Sequence, residues 1–326
     1  MISLDLELYW GMTDILPLEQ YRHRLIAARA AIPRILEVFE QYALHATWAT
    51  VGMVLYDQRS EALRDAPEQM PEYTDLSLAS NGKLSAAVGP DETTDPYNFG
   101  RSLARQILAV PYQEIGTHTF SHYYCVEPGQ DISAFRADLE AAKRASASLG
   151  LEVRSIVFPR HQIAPEYLPV CQALGITAYR GNVPQWAYHA RPKGKQTLLL
   201  RMIRASDTYA NMTGHHTYDA SEIPEGSMAN VRASHYLRPY NHGLRLFEPT
   251  KLARIQSSMK YAARRGQIYH LWMHPEDFGQ YTQENIRLLR QTAEYFVQLQ
   301  ERYGMCSLNM EEQASAARLS SGQLSK

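Results

Sequence analysis

Cysteine is scarce in this chain: 326 residues hold three, Cys125, Cys171 and Cys306. They are odd in number and far apart, so a disulfide framework is not the basis of the fold, and a reducing compartment is favoured. Charge of one sign is also missing. Thirty-three Lys and Arg against 34 Asp and Glu leave a net charge of −1, without the basic excess of a nucleic-acid binder. No apolar run reaches the ~20 residues of a transmembrane helix. No basic segment followed by an apolar one opens the chain, whose first residues carry acids, so no secretory signal is read. There is no internal repeat, no Gly-x-Gly-x-x-Gly after the first strand and no phosphate-binding loop, which argues against a nucleotide-binding fold. The expectation is a soluble cytoplasmic protein, with attachment to the inner face of a membrane left open. A hydrophobic content of 45% is ordinary for a chain that buries a sizeable core.

What is present begins with a strict alternation. Ile2, Leu4, Leu6 and Leu8 point one way and Ser3, Asp5 and Glu7 the other, a strand with an apolar back and an acidic front. A helical pattern over 18–42 follows, with Pro33 expected to kink or split it. The β-branched and aromatic stretch His45–Val51 is a second strand, so the chain opens with a βαβ unit and parallel pairing. Further strands are expected to end near Ile115, Phe158, Arg180 and His274, with helices over 131–149, 166–174, 249–265 and 282–303. A last strand is expected over 305–310. Two stretches break the pattern, 56–98 and 181–247, and read as long insertions. The domain is expected to span 1–310, with a flexible tail over 311–326. Repeated βα units favour a barrel or an open parallel sheet.

The polar residues that could carry chemistry fall at the carboxyl ends of these strands, where α/β folds build active sites. They are Asp5 and Glu7, then His118 and His122, then Arg160, then His274. His118 and His122 are four apart, which on a helical turn places both rings on one face and lets them converge on one metal ion. Three N/O ligands, a carboxylate for proton removal and an imidazole for proton delivery suit metal-assisted hydrolysis.

At these positions the chain resembles the polysaccharide deacetylases, the NodB-homology family or carbohydrate esterase family 4. Ser3-Leu4-Asp5-Leu6-Glu7 stands where that family has Thr-Phe-Asp-Asp-Gly. His118-Thr119-Phe120-Ser121-His122 resembles its His-Ser/Thr-x-x-Ser-His motif, one residue shorter. Phe158-Pro159-Arg160-His161-Gln162 resembles a Phe-Pro-Arg-Asn-Gln variant of its third motif, and Leu271-Trp272-Met273-His274 its last strand end. The resemblance spans 2–275 in the right order. It implies a distorted (β/α) barrel and a divalent metal, zinc first, with cobalt, nickel or iron as other choices. It further implies His118 and His122 as ligands, Asp5 as general base, Arg160 as the partner of the base carboxylate, and His274 as general acid. Leu6 replaces the usual ligand Asp. Glu7 lies on the same strand face as Asp5 and is assigned as third ligand, with an exchange of roles between Asp5 and Glu7 left open.

The implied activity is removal of an N-acetyl group from a sugar. The absence of an export signal points to an intermediate of surface-polysaccharide biosynthesis (lipopolysaccharide O-antigen or capsule), carried as a sugar nucleotide or lipid-linked saccharide. Trp10, Arg238 and Tyr240 are candidate substrate-binding residues: Trp10 follows the acidic strand, and the others lie in a segment where arginines interleave with tyrosines and could bind an anionic ligand. His270 is expected to be structural, and His215 and His216 an exposed loop pair. Two other readings stand beside this one. One is a hydrolase of another C–N bond, a deformylase or ureide amidohydrolase. The other is a non-catalytic saccharide-binding relative that lost its metal with the Asp replaced by Leu6.

Overall fold

The computed structural model describes residues 1–189, 191, 197–223 and 228–324. The opening alternation forms β1 (Ile2–Leu6), followed by α1 (Leu18–Gln41) and β2 (Ala46–Thr50). The stretch 56–98 carries α2 (Arg59–Asp65) and α3 (Ser80–Ala86), and α4 (Arg101–Leu108) leads into β3 (Gln113–Thr117). Then come α5 (Ile132–Ala147), β4 (Ser155–Ile156), α6 (Leu168–Ala173), β5 (Ala178–Tyr179), α7 (Leu198–Asp207), β6 (Ala229–Asn230) and β7 (His235–Tyr236). The chain ends with α8 (Glu248–Ala263), β8 (Leu271–Met273), α9 (Thr282–Tyr303) and α10 (Met310–Leu324).

Eight parallel strands form one sheet in the order β6-β5-β4-β3-β2-β1-β8-β7. Its two edges, β6 and β7, are consecutive in sequence, and the segment through them bonds to both sides. Ala229, Val231 and Ala233 donate backbone bonds of 2.8–2.9 Å to Thr177, Tyr179 and Gly181 beside β5. Ser234 and Leu237 donate bonds of 2.8 Å to His270 and Trp272 on the β8 side. One stretch of chain thus closes the sheet into a distorted (β/α) barrel, which leaves no open sheet edge there.

The pleat of β1 sorts its residues as the alternation requires. Leu4 and Leu6 are fully buried and join a cluster that includes Leu25, Ile32 and Ile35 of α1 and Trp48 of β2. Ser3, Asp5 and Glu7 face the barrel interior, where Ser3 meets Arg180 and His270 (Oγ to Nη1 3.0 Å, Oγ to Nε2 2.8 Å).

Several expectations are corrected. Helix α1 continues through Pro33; burial of Leu25, Ala28, Ile32, Ile35 and Phe39 on one face outweighs the ~3 kcal/mol that an interior proline costs. The segment 305–310 is not a strand, and the expected flexible tail is helical to Leu324, with Met310 and Ala314 fully buried; residues 325–326 lie outside the described residues. The stretch 181–247 is not wholly an insertion, because it supplies the closing strand; its residues 190, 192–196 and 224–227 lie outside the described residues.

Candidate active site

The loops after β1, β3 and β4 enter the barrel mouth with left-handed backbone at non-glycine residues: Leu8 (φ 50°), Thr119 (63°), His122 (60°), Arg160 (53°) and His161 (54°). Such conformations cost on the order of 1–3 kcal/mol each and persist only where surrounding contacts impose them. The contacts here are visible. Asp138 on α5 accepts hydrogen bonds from the backbone N–H of Phe120 (2.7 Å) and Ser121 (3.1 Å) and from the Ser121 hydroxyl, while Thr119 Oγ1 accepts from Tyr123 N–H at 2.7 Å. The loop is therefore not the helical turn that the four-residue spacing of the histidines suggested. It is an irregular turn pinned by Asp138, and it still sets the two imidazole centroids 5.1 Å apart.

Both rings aim Nε2 at one carboxylate oxygen. Glu7 Oε1 lies 2.9 Å from His118 Nε2 and 3.2 Å from His122 Nε2. The backbone that carries Glu7 is held from the turn after β8: Glu276 accepts from the N–H of Glu7 (3.1 Å) and of Leu8 (2.6 Å). Gly11 lies against the same carboxylate, so closely that a Cβ there would come within 1.7 Å of Glu7 Oε2.

The donor set can be tested against a metal from hydrogen bonds alone. His122 Nδ1 bonds to the Tyr124 hydroxyl at 3.0 Å, and that hydroxyl donates onward to Asp14 at 3.4 Å. In this tautomer Nδ1 carries the proton and Nε2 a lone pair. A lone pair and a carboxylate oxygen 3.2 Å apart repel unless a cation lies between them. Burial pushes the His122 imidazole below its ordinary value, against the pull of Glu7, which favours the neutral ligand form. Burial opposes the charge of Glu7, yet the two histidines hold its carboxyl well below the usual range. Two imidazole nitrogens and a carboxylate fit a divalent ion with positions left for water.

Asp5 occupies a different position. It is 3% exposed and takes a bidentate pair from Arg180, Nη1 to Oδ1 at 2.7 Å and Nη2 to Oδ2 at 2.6 Å. Burial raises its carboxyl pKa, but Arg180 and the neighbouring histidines outweigh that and hold it at about 2. Sequence reasoning placed Arg160 on this carboxylate, and the structure corrects it. The left-handed turn at Arg160 and His161 directs Arg160 away, to Asp14 at 2.7 Å and over the Tyr124 ring at 4.5 Å. Arg160 thereby steadies the Asp14–Tyr124–His122 chain instead. His161 packs edge-on against Trp272 at 4.5 Å, and burial together with Arg180 lowers its pKa to about 3.

His274 Nε2 is 3.8 Å from both Asp5 Oδ2 and Glu7 Oε1, and its Nδ1 is 3.6 Å from Asp277 and 3.4 Å from the Tyr236 hydroxyl. Burial disfavours its charge, but the hydrogen bond to Asp277 and the charges of Glu7 and Asp5 raise its pKa to about 10. Three of the expected substrate residues divide. Trp10 is fully buried with its indole N–H on the Asn98 carbonyl (2.8 Å), so it cannot stack on a sugar. Tyr240 packs on Tyr281 outside the adjoining cavity, and Arg238 lines that cavity. His270 is fully buried on Ser3, and His215 and His216 are half-buried, not exposed.

No family model and no curated protein matches this sequence. Solved structures do match. A protein of Mycobacterium smegmatis named as a putative polysaccharide deacetylase superposes with a TM-score of 0.62 at 13% identity, over 98% of this chain and 90% of that one. The fold is that of the polysaccharide deacetylases. A probable polysaccharide deacetylase of Pseudomonas aeruginosa PAO1 superposes on this deacetylase fold with a TM-score of 0.53 at 11% identity, over 97% of this chain and 88% of that one. Puue allantoinase does so with a TM-score of 0.52 at 12% identity, over 97% and 88%.

Arg180, Asp14, Tyr124, Asp138, Glu276, Tyr236 and Asp277 were not found from sequence. Arg180 carries the available signal, a charged residue at a strand end, but it lies outside the recognisable motif that holds Arg160.

Proposed function

We propose that this chain is a divalent-metal-dependent hydrolase that removes an N-acetyl group from a saccharide, with zinc as the first choice of metal. The observation that carries the reading is the convergence of Glu7, His118 and His122 on one point, with Asp5 and His274 alongside. A divalent ion bound by these three residues supplies a Lewis acid that polarises an amide carbonyl and lowers the pKa of water. Asp5 stays ionised at any physiological pH because of Arg180, and is placed to accept the proton of attacking water. Glu7 is committed to the two imidazoles, which favours Asp5 over Glu7 for that role. His274, kept protonated by its three carboxylate neighbours, delivers a proton to the departing amine. Asp277 and the Tyr236 hydroxyl orient the ring from the far side.

The substrate in this reading is a sugar intermediate of surface-polysaccharide synthesis. A cavity of about 380 Å³ adjoins the site, at the small end of ligand pockets, and suits a sugar conjugate better than a long polymer. Among the described residues no helix is long and apolar enough to cross a membrane.

The test is elemental analysis of gently purified protein beside Glu7→Ala and His118→Ala, followed by a screen of acetylated sugars for acetate release. About one ion per chain, lost in both variants, with acetate released by the parent only, is the expected result. Formate or a ureide product would reassign the bond cleaved. No ion after reconstitution and no turnover would refute the hydrolase and leave a saccharide-binding protein.

A further inference from the structure

The cavity beside the catalytic groups has a charge pattern that the hydrolysis does not use. Its near wall is Trp272, Tyr236 and His161, the same side chains that pack against Arg180 and His274. Its far wall holds Arg204, Arg238, Lys251 and Arg254. Three of these cations have partners: Lys251 pairs with Glu248 at 2.6 Å, Arg254 with Asp207 at 3.7 Å, and Arg204 donates from Nε to the Ala187 carbonyl at 2.6 Å. Arg238 stands apart. Its Nε bonds to the Thr208 hydroxyl at 2.9 Å and its guanidinium lies 5.6 Å from the Tyr236 ring centre, but among the described residues no carboxylate lies within ion-pair distance. Crowding of like charge is felt nearby: burial and the proximity of Arg191 and Arg238 lower the pKa of Arg204.

A second, independent observation points to a ligand. His235 lines the cavity, is 9% exposed, and has no hydrogen-bond partner on either ring nitrogen among the described residues. A buried imidazole left unsatisfied loses its hydration without a replacement, so such a group is costly to keep. His235 approaches His216 and Asp207 as metal ligands would, but those two are already committed. Asp207 accepts from two backbone N–H groups and from Tyr188, each at 2.9 Å, and faces Arg254. His216 is held by the Ser234 carbonyl at 3.0 Å and the Thr213 hydroxyl at 2.8 Å. A cation would meet Arg254 and a single uncommitted imidazole. An oxyanion would meet guanidinium groups and an imidazole N–H.

We infer that this cavity binds the phosphate of a sugar phosphate or nucleoside-diphosphate sugar, held by Arg238 and Arg204 with His235 donating from the wall. Arginine suits this because its planar fork binds phosphate oxygens two at a time. The inference deepens the deacetylase reading and rests on it for the sugar: the anion is bound on one side of the Trp272–Tyr236 wall while the acylamino group reaches Asp5 and His274 on the other. The preferred substrate is then an anionic conjugate, not a neutral glycan.

The experiment is calorimetric titration of the full chain after EDTA treatment, so that binding is read without turnover. The probes are glucose, glucose 1-phosphate, N-acetylglucosamine 1-phosphate, uridine diphosphate N-acetylglucosamine and glucuronate. Each phosphorylated probe should bind at least tenfold more tightly than glucose, with a preference that weakens as salt is raised. Arg238→Gln should remove most of that preference, Arg238→Lys should keep part of it, and His235→Phe should weaken phosphate binding without lowering the melting temperature. The two phosphate sources separate by whether the uridine conjugate exceeds the hexose phosphates. Equal affinity for glucose and glucose 1-phosphate would overturn the inference. So would an undiminished preference in folded Arg238→Gln, or glucuronate binding as tightly as the phosphates. If the phosphates bind and no acetate is ever released, the cavity assignment stands and the hydrolase reading fails.

Discussion

Gly11→Ala tests the metal centre without touching a ligand. Gly11 is buried against Glu7, and a Cβ built on it would lie 1.7 Å from Oε2 and 2.6 Å from the carboxylate carbon. Moving that oxygen out to 3.0 Å, the closest that real Cβ contacts come, displaces it by at least about 1.3 Å. The group that must yield is the far end of a flexible side chain, so the backbone and the core of β1 are left in place. The carboxylate carbon, 2.6 Å from that Cβ, must move as well and carries with it Oε1, the oxygen between the imidazoles; metal–ligand distances tolerate only ~0.2 Å of error, so the carboxylate cannot shift and remain a ligand. Disturbing even an outer contact of a metal site costs about 10–100-fold in affinity, and loss of one of three protein ligands should cost at least that, roughly 1.4–2.8 kcal/mol. The assay is competition of the apo protein against a chelator of known zinc affinity, beside thermal unfolding of the metal-free form. The expected result is a loss of zinc affinity of a hundredfold order with the apo melting temperature little changed. Zinc binding as tight as in the parent would refute the assignment of Glu7 as ligand. A collapse of the apo protein would refute the argument that only Glu7 yields.

Removal of Arg180 by Arg180→Met leaves Asp5 buried and unpaired, which should cost about 3–5 kcal/mol in denaturant unfolding, while Arg160→Met leaves Asp14 the Tyr124 hydroxyl as a donor and should cost less; the reverse order would return Arg160 to the base carboxylate. Glu276→Ala, which strips the acceptor from two backbone N–H groups at Glu7 and Leu8, should lower metal affinity in the same chelator competition, whereas Glu276→Gln keeps an acceptor and should lower it less. Asp138 has its carboxyl pushed up to about 6 by burial, against its hydrogen bonds from Ser121 and Phe120. Its folded value lies above its unfolded one, so its stabilising effect is complete below pH ~4 and is lost as pH rises through about 6; Asp138→Asn should flatten that slope in urea midpoints taken across the window. Trp10→Phe removes a buried hydrogen bond to Asn98 and should lower the melting temperature without changing KM for any saccharide; a changed KM would put Trp10 back at the substrate.

Sequence periodicity is a local property, and what it decided here is local. The two-residue alternation of β1 determined that Ser3, Asp5 and Glu7 share a face, because successive Cβ atoms of a strand point oppositely. The four-residue spacing of His118 and His122 and the position of His274 at a strand end placed three further polar groups at the carboxyl edge of a parallel sheet. The order of strands and helices was enough to expect a barrel or an open parallel sheet, and the family resemblance narrowed that to the (β/α) barrel. Only the tertiary structure decided which groups meet. Arg180 and Arg160 both follow strands and carry the same charge; the left-handed backbone at Arg160, imposed by its loop, sends one to Asp14 and leaves the other on Asp5. The histidine loop is shaped by Asp138, sixteen residues beyond His122 on another element. The segment that closes the barrel, 229–236, has no alternating pattern to announce it, because its backbone is divided between neighbours on two sides. Trp10 follows an acidic strand, which made it a candidate to stack on a sugar, and it is buried because the stretch 56–98 folds back to place Asn98 over it. Pairing partners, burial and backbone handedness depend on residues far apart in the chain, and no window of sequence contains them.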